Sequence, residues 1–149
     1  TVLAQLFAIR PNYAPAQIVQ GELNVRALRL PLARIALEQV KPVGRDQERE
    51  WMQTRAGYHE AAGEQTQAKL LYEAILRREP FEYGTRVALG GLYIGTREYE
   101  RAKAEFVKVP PTSREFRTAR RGLARALSSQ RKFAPAIDIL EELTREAPW

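Results

Sequence analysis

Apolar residues recur along this chain at spacings of three and four residues. Leu89, Leu92 and Tyr93 show the pattern, and the segment 137–143 repeats it. Since an α-helix has about 3.6 residues per turn, residues at these spacings share one face of a helix. Prolines and glycines separate the apolar segments and mark where helices end. The pattern predicts an all-α chain of short amphipathic helices.

The apolar pattern repeats with a period of 34 residues, set by Ala68, Ala102 and Ala136. Twelve residues before each alanine stands a small residue, and four residues after it stands a bulky apolar residue. The small residues are Ala56, Gly90 and Ala124, and the bulky ones are Tyr72, Phe106 and Leu140. Gly21, Ala33 and Leu37 have the same offsets from one another, but Ala33 lies 35 residues before Ala68 instead of 34. Each repeat predicts a pair of helices that approach closely at the small residues.

The segment 89–93 (Leu-Gly-Gly-Leu-Tyr), followed by Tyr99, Ala102 and Phe106, resembles the tetratricopeptide repeat. The resemblance implies a right-handed superhelix of tandem helix-turn-helix repeats, with the first helices lining a concave groove. It implies one array over residues 1–149. We expect residues 1–12 to end a preceding repeat and four repeats to cover 13–46, 47–80, 81–114 and 115–149. The chain opens without Met inside a predicted helix, so we expect a fragment of a longer protein.

Prolines and glycines agree with these boundaries. Three prolines fall where first helical turns are predicted, and the other six fall between helices, where a missing N–H is tolerated. The first group is Pro15, Pro31 and Pro135. We expect tight turns between paired helices at Gly63 and at the Gly95–Thr96 pair.

The composition limits the classes of function. Hydrophobic residues make up 44% of the chain and charged residues 28%, which is typical of a folded protein. Cysteine is absent, which excludes disulfides and thiolate sites, and no apolar run is long enough to insert this segment into a membrane. The net charge of +6 favours an acidic protein surface, an anionic glycan or nucleic acid as partner.

Catalytic chemistry is hard to assemble from these residues. His59 is the one histidine, so paired-histidine metal sites and cysteine–histidine pairs are excluded. The paired glutamates lie near arginines or lysines on predicted solvent faces, as in helix-surface ion pairs. We interpret His59 as a packing residue with a polar tip, and we expect neither an enzyme nor a cofactor.

The tetratricopeptide geometry implies which residues face the groove. On the second to fourth repeats these candidates are Gln53, Gly57, Glu60, Val87, Gly91, Ile94, Thr118, Arg121, Arg125 and Ser128. The first repeat contributes Ile18, Glu22 and Val25. The surface is apolar in its middle and basic toward its end.

Arg114, Arg117, Arg121 and Arg125 are spaced by three, four and four residues and therefore share one predicted helix face. Such a stripe repels itself unless it is paired or holds an anion. Two interpretations stay open: an anionic binding site, or a face that a following repeat of the parent chain covers.

These features favour a protein-interaction scaffold whose partly basic groove binds an acidic peptide or enzyme surface. The alternative is a nucleic-acid-binding helical repeat, although Val87 and Ile94 stand where an RNA code needs polar pairs. Similar arrays form periplasmic segments of bacterial exopolysaccharide exporters that carry an outer-membrane barrel. The excess of arginine over lysine, 19 to 5, fits a bacterial source with a GC-rich genome. A periplasmic scaffold for polysaccharide export, or a guide for a charged glycan, is therefore a further hypothesis.

Overall fold

The computed structural model describes residues 1–10 and 12–145, and within them it contains nine α-helices and no strand. The helices are α1 (Val2–Ile9), α2 (Ala14–Arg26), α3 (Leu30–Glu38), α4 (Gly44–Ala61), α5 (Gln65–Arg78), α6 (Tyr83–Gly95), α7 (Tyr99–Phe106), α8 (Phe116–Ser129) and α9 (Phe133–Arg145). The prediction of an all-α chain is confirmed for these residues. None of the helices in the described ranges is long and apolar enough to cross a membrane.

Prolines start helices and separate them, as the sequence indicates. Pro15 is the second residue of α2, Pro31 is the second residue of α3, and Pro135 is the third residue of α9. A proline there removes an N–H that has no partner within the helix. Pro42, Pro80 and the Pro110–Pro111 pair lie between helices. The predicted positions of Pro11 and Pro148 lie outside the described residues.

The same turn closes all four helix pairs, α2–α3, α4–α5, α6–α7 and α8–α9. The second residue after each first helix takes a positive φ: Leu28 (54°), Gly63 (77°), Arg97 (63°) and Arg131 (61°). Its N–H donates to the carbonyl three residues back, and the next N–H donates to the carbonyl five residues before it, over 2.7–3.0 Å. This is the Schellman arrangement, which satisfies the last carbonyls of a helix. The turn recurs with the period of the sequence repeat.

One predicted turn differs in detail. Gly95 is the last residue of α6, and the positive φ belongs to Arg97. The Gly95–Thr96 pair therefore precedes the tight position instead of occupying it. The Schellman bonds fix the positive φ at a set distance from the helix end, and Arg97 stands there although a side chain disfavours that conformation.

The chain divides into two compact units, Thr1–Ile75 and Leu76–Trp149, and the division falls within α5. In the first unit α2 packs on α1, α3 and α4, and α3 also contacts α4. Ala14, Ile18 and Val40 form a buried cluster, and the indole of Trp51 packs against it. Close approach of α2 and α3 depends on Gly21, because a Cβ there would lie 2.6 Å from Leu37 Cδ2.

In the second unit α6 pairs with α7 and α8 pairs with α9, while α8 also packs on both α6 and α7. The ring of Phe106 fills the space between these helices: added Cβ atoms on Gly90 and on Gly122 would both overlap it. A buried ion pair joins Arg86 of α6 to Glu105 of α7, with Nη1 2.5 Å from Oε2. The guanidinium also donates to the Pro80 carbonyl.

The three alanines that set the period and Ala33, their counterpart in the first repeat, are buried: Ala33, Ala68 and Ala102 are fully inaccessible and Ala136 is 2% exposed. Of the bulky residues four positions later, Leu37, Tyr72 and Phe106 are also buried. The fourth differs, since Leu140 of α9 is 45% exposed. Within the described residues no helix covers the face of α9 that corresponds to the face of α7 against α8.

Candidate functional site

Five of the predicted groove residues lie together in the first unit. Ile18, Glu22 and Val25 of α2 face Gln53 and Gly57 of α4 across a cleft of about 590 Å³. The remaining lining residues are Val19, Arg26, Glu50 and Thr54. We call this the α2/α4 cleft. Its volume lies within the range of ordinary ligand pockets.

The α2/α4 cleft has an apolar floor and a polar margin. Ile18 is almost wholly buried beneath it, while Val19 stays 43% exposed. Glu22 and Arg26 lie at its edge as an exposed ion pair at 3.9 Å, which contributes little to stability. Gly57 leaves its wall open, because an added Cβ would have no neighbour within 4 Å. An extended apolar segment therefore has access to the floor.

Glu60 has a different role from its neighbours on α4. It does not line the α2/α4 cleft, and it accepts a hydrogen bond of 2.5 Å from the Tyr72 hydroxyl of α5. Burial raises the pKa of the Tyr72 phenol far above its ordinary value, and the bond to Glu60 raises it further. The contact joins α4 to α5, so Glu60 is at least partly committed to holding this hairpin together.

The candidates on α6 differ in how accessible they are. Gly91 is exposed, and a Cβ there would meet nothing within 4 Å. Val87 is half-buried, and Ile94 is only 7% exposed. Ile94 therefore offers almost no surface to a ligand, and Gly91 is the open position on this helix.

Two of the four arginines are occupied elsewhere. Arg114 precedes α8, so it does not lie on the helical stripe that its spacing suggests. Its Nε donates to Glu115 over 2.6 Å, and hydrogen bonds from Ser113 and Arg114 hold the pKa of Glu115 below its usual range. Arg117 donates through Nη2 to the Leu143 carbonyl of α9 over 3.0 Å. This bond satisfies one of the last carbonyls of α9.

Arg121 and Arg125 are exposed on α8, one helical turn apart, next to the exposed Thr118. No hydrogen-bond acceptor or carboxylate in residues 1–10 and 12–145 pairs with either guanidinium. Arg120 differs, because it forms an ion pair with Glu142 of α9. Two adjacent unpaired guanidinium groups attract anions and donate to carboxylate or phosphate in a fixed geometry.

A second cleft in the first unit was not predicted from the sequence. It has a volume of about 420 Å³ and lies between α3, α4 and the turn after α4. Its lining residues are Arg34, Leu37, Glu38, Trp51, Arg55, Tyr58, His59 and Glu64. We call it the α3/α4 cleft. The i, i+4 spacing of Trp51 and Arg55 was the available sequence signal, since it stacks a guanidinium on an indole along one helix.

His59 is half-buried at the end of α4, and its Nδ1 lies 2.5 Å from Glu64 Oε2. The Tyr58 ring packs edge-on against the imidazole at 5.2 Å. These contacts agree with a packing residue that has a polar tip. Across the described ranges, no group of three or more histidine, aspartate or glutamate side chains is arranged to hold a metal ion.

Comparison with models of known protein families finds no match to this chain, and a search of curated proteins finds no significant match. The interpretation of the repeats and of the clefts therefore depends on the residues and contacts described above.

Proposed function

We propose that this chain is an array of tetratricopeptide-type hairpins and serves as a protein-interaction scaffold without catalytic activity. The observation that carries the proposal is the α2/α4 cleft. Its residues come from the first helices of two successive hairpins, which is where the tetratricopeptide geometry puts a binding groove. The cleft has an apolar floor, a polar margin and an open wall at Gly57, and these features suit an extended peptide.

The packing of the hairpins supports this assignment. In each unit the first helix of a hairpin contacts its own second helix and also the first helix of the next hairpin: α2 contacts α3 and α4, and α6 contacts α7 and α8. Identical Schellman turns recur at the spacing of the sequence repeat. We propose that successive hairpins continue this packing as a right-handed superhelix.

The charge of α8 indicates the kind of partner. Arg121 and Arg125 are exposed on the first helix of the fourth hairpin, without partners in the described part of the chain. Their unpaired charge favours a partner segment that carries carboxylates. An acidic peptide, or the acidic surface of an enzyme held by a periplasmic polysaccharide-export scaffold, has this chemistry.

The test is a pull-down with the chain as bait, from lysate with and without nuclease, with bound proteins identified by mass spectrometry. One variant, Gly57→Leu, fills the α2/α4 cleft, and Gly95→Leu is its control because Gly95 also has open space around it. A second variant, Arg121→Glu with Arg125→Glu, reverses the charge of α8. Its control changes the same charge at Arg45 and Arg97, which are exposed elsewhere.

We expect a discrete protein that survives nuclease, is lost with Gly57→Leu or with the α8 reversal, and is kept by both controls. Titration of that protein into the purified chain then gives its affinity. If only nuclease-sensitive material is retained, the scaffold proposal is wrong and nucleic-acid binding replaces it.

A further inference from the structure

The α3/α4 cleft is separate from the α2/α4 cleft, although α4 lines both. The α2/α4 cleft uses Glu50, Gln53, Thr54 and Gly57, whereas the α3/α4 cleft uses Trp51 and three residues that follow it on another face of the helix. Its volume of about 420 Å³ is enough for two peptide side chains and is within the range of ligand pockets. A site here goes beyond the proposed function.

One wall of the α3/α4 cleft is a fixed aromatic surface. The Trp51 indole donates through Nε1 to the Leu37 carbonyl over 3.0 Å, and the ring packs against the buried cluster of Ala14, Ile18 and Val40. With its polar atom satisfied and one side buried, the ring cannot turn freely. A ligand that lies against it meets a preformed apolar surface, which lowers the entropic cost of binding.

The charged groups of the α3/α4 cleft are unequally paired. Glu64 is hydrogen-bonded to His59, and Glu38 lies 3.9 Å from Arg34. Arg55 lies with its guanidinium carbon 4.7 Å from the centre of the Trp51 ring. Among the described residues no oxygen accepts a hydrogen bond from the Arg55 guanidinium. Among the described residues, Arg55 is therefore the charged group of this cleft that has neither an ion-pair partner nor a hydrogen bond.

A guanidinium over the face of an indole is held there by the ring and can still direct N–H groups away from it. A carboxylate accepts from two of these N–H groups at once, and this geometry is specific to arginine. The contact with the ring also removes part of the rotational freedom that an exposed arginine loses on binding. Arg55 is thus prepared to bind a carboxylate beside an apolar surface.

We propose that the α3/α4 cleft binds a peptide carboxylate next to an apolar side chain, with the carboxylate on Arg55 and the side chain against Trp51 and Leu37. The carboxylate comes from a chain terminus or from an aspartate or glutamate. Because Glu38 is paired with Arg34, Arg55 offers this cleft one unpaired cation, which suits a single carboxylate and not a nucleic-acid backbone with a charge at every phosphate.

The test uses the indole signal of Trp51 in nitrogen-15-labelled protein with Trp149→Phe, which leaves one tryptophan. Three probes are titrated: N-acetyl-Gly-Leu with a free carboxylate, the same dipeptide as its amide, and N-acetyl-Asp-Leu amide. We expect saturable shifts with at least one of the two carboxylate probes and none with the neutral amide. The two acidic probes separate a terminal carboxylate from a side-chain carboxylate.

Arg55→Lys keeps the charge but loses the paired N–H groups, and we expect it to weaken binding by about tenfold. Arg45→Lys, on the same helix outside both clefts, is the matched control and should bind like the parent. Circular dichroism verifies that each variant is folded. Equal shifts with the neutral amide, no saturable shift with any probe, or unchanged affinity in folded Arg55→Lys would each overturn the proposal.

Discussion

The ring of Phe106 occupies the space that a side chain on Gly122 would need. Gly122 belongs to α8, the first helix of one hairpin, and Phe106 belongs to α7 of the preceding hairpin. The same ring also meets Gly90 of α6. A single aromatic side chain therefore sets how closely three helices approach, and the two glycines are required by packing and not by backbone conformation.

Glycine-to-alanine substitutions should change stability in opposite directions at different sites. Alanine at Gly90 or Gly122 overlaps Phe106, and we expect each to lower the free energy of unfolding by about 1–3 kcal/mol. Alanine at Gly57 or Gly91 meets open space, so its higher helix propensity should raise that energy by about 0.5–1 kcal/mol. Urea denaturation measures all four.

A companion variant separates packing from helix propensity. Phe106→Leu shortens the side chain, so Gly122→Ala should cost less in that background than in the parent. Equal costs of Gly122→Ala in the two backgrounds would contradict the packing role given to Phe106.

The turns make a second prediction. Leu28, Arg97 and Arg131 hold a positive φ that costs a residue with a Cβ about 1–2 kcal/mol. Glycine removes this cost, but its greater conformational entropy stabilises the unfolded chain and offsets part of the gain. We therefore expect Arg97→Gly and Arg131→Gly each to raise the free energy of unfolding by about 0.5 kcal/mol. Gly63→Ala should destabilise by about 1 kcal/mol. Thermal unfolding measures these shifts, and Arg101→Gly, inside α7, should be destabilising instead.

The sequence predicts the helices and their pairing, because the same short-range pattern returns four times. Five of the nine residues that line the α2/α4 cleft were groove candidates, but they came from the tetratricopeptide resemblance and not from the pattern alone. The sequence predicts Gly90 as a point of close approach, since the period of the repeat marks it. Gly122 was missed, because its contact with Phe106 joins two hairpins and the corresponding position in the previous repeat is Ala88. Periodicity reveals what repeats share and hides what is particular to one pair of them.

The arginine stripe shows the same limit in another way. Helical spacing groups Arg114 with Arg117, Arg121 and Arg125, but α8 begins only at Phe116. Arg117 donates a hydrogen bond to the Leu143 carbonyl of α9, which lies 26 residues away in sequence. Spacing along one helix contains no information about acceptors on the next, so two arginines remain as candidates for binding.

The buried pair of Arg86 and Glu105 gives a third prediction. Their side chains are 10% and 14% exposed, so removing one partner leaves a charge in a poorly solvated place. After Arg86→Met, Glu105 still pairs with Lys108 at 2.9 Å, and we expect the free energy of unfolding to fall by about 3 kcal/mol. Glu105→Leu leaves the buried Arg86 without a carboxylate partner and should lower the free energy of unfolding by more than Arg86→Met does. Guanidinium denaturation measures both.

The double variant Arg86→Met with Glu105→Leu tests the interpretation of that pair. Because neither charge is left alone, it should lose less stability than the sum of the single variants. Lys108→Met is the control, since Lys108 is half exposed and should change stability by less than about 1 kcal/mol. Additive losses in the double variant would show that the two side chains act independently.

The hydrogen bond from Tyr72 to Glu60 gives a prediction about alkaline pH. Burial and this bond raise the pKa of Tyr72 in the folded chain above its ordinary value of 10.0. The unfolded chain therefore loses the phenolic proton first, while the folded chain retains it. The stabilisation is fully present below about pH 10 and falls above it by about 1.4 kcal/mol per pH unit.

Tyr72→Phe isolates this contribution, because the other five tyrosines titrate in both proteins. At neutral pH the variant should be less stable by about 1 kcal/mol, the usual value of one hydrogen bond. Above about pH 10 the parent loses stability faster than the variant, so the difference narrows and then reverses. Urea denaturation between about pH 7 and pH 11 measures both curves, with Tyr13→Phe, an exposed position, as the control. If the curves for Tyr72→Phe and the parent stay parallel through this range, the phenol ionises equally in the folded and unfolded chains, and the raised pKa of Tyr72 is contradicted.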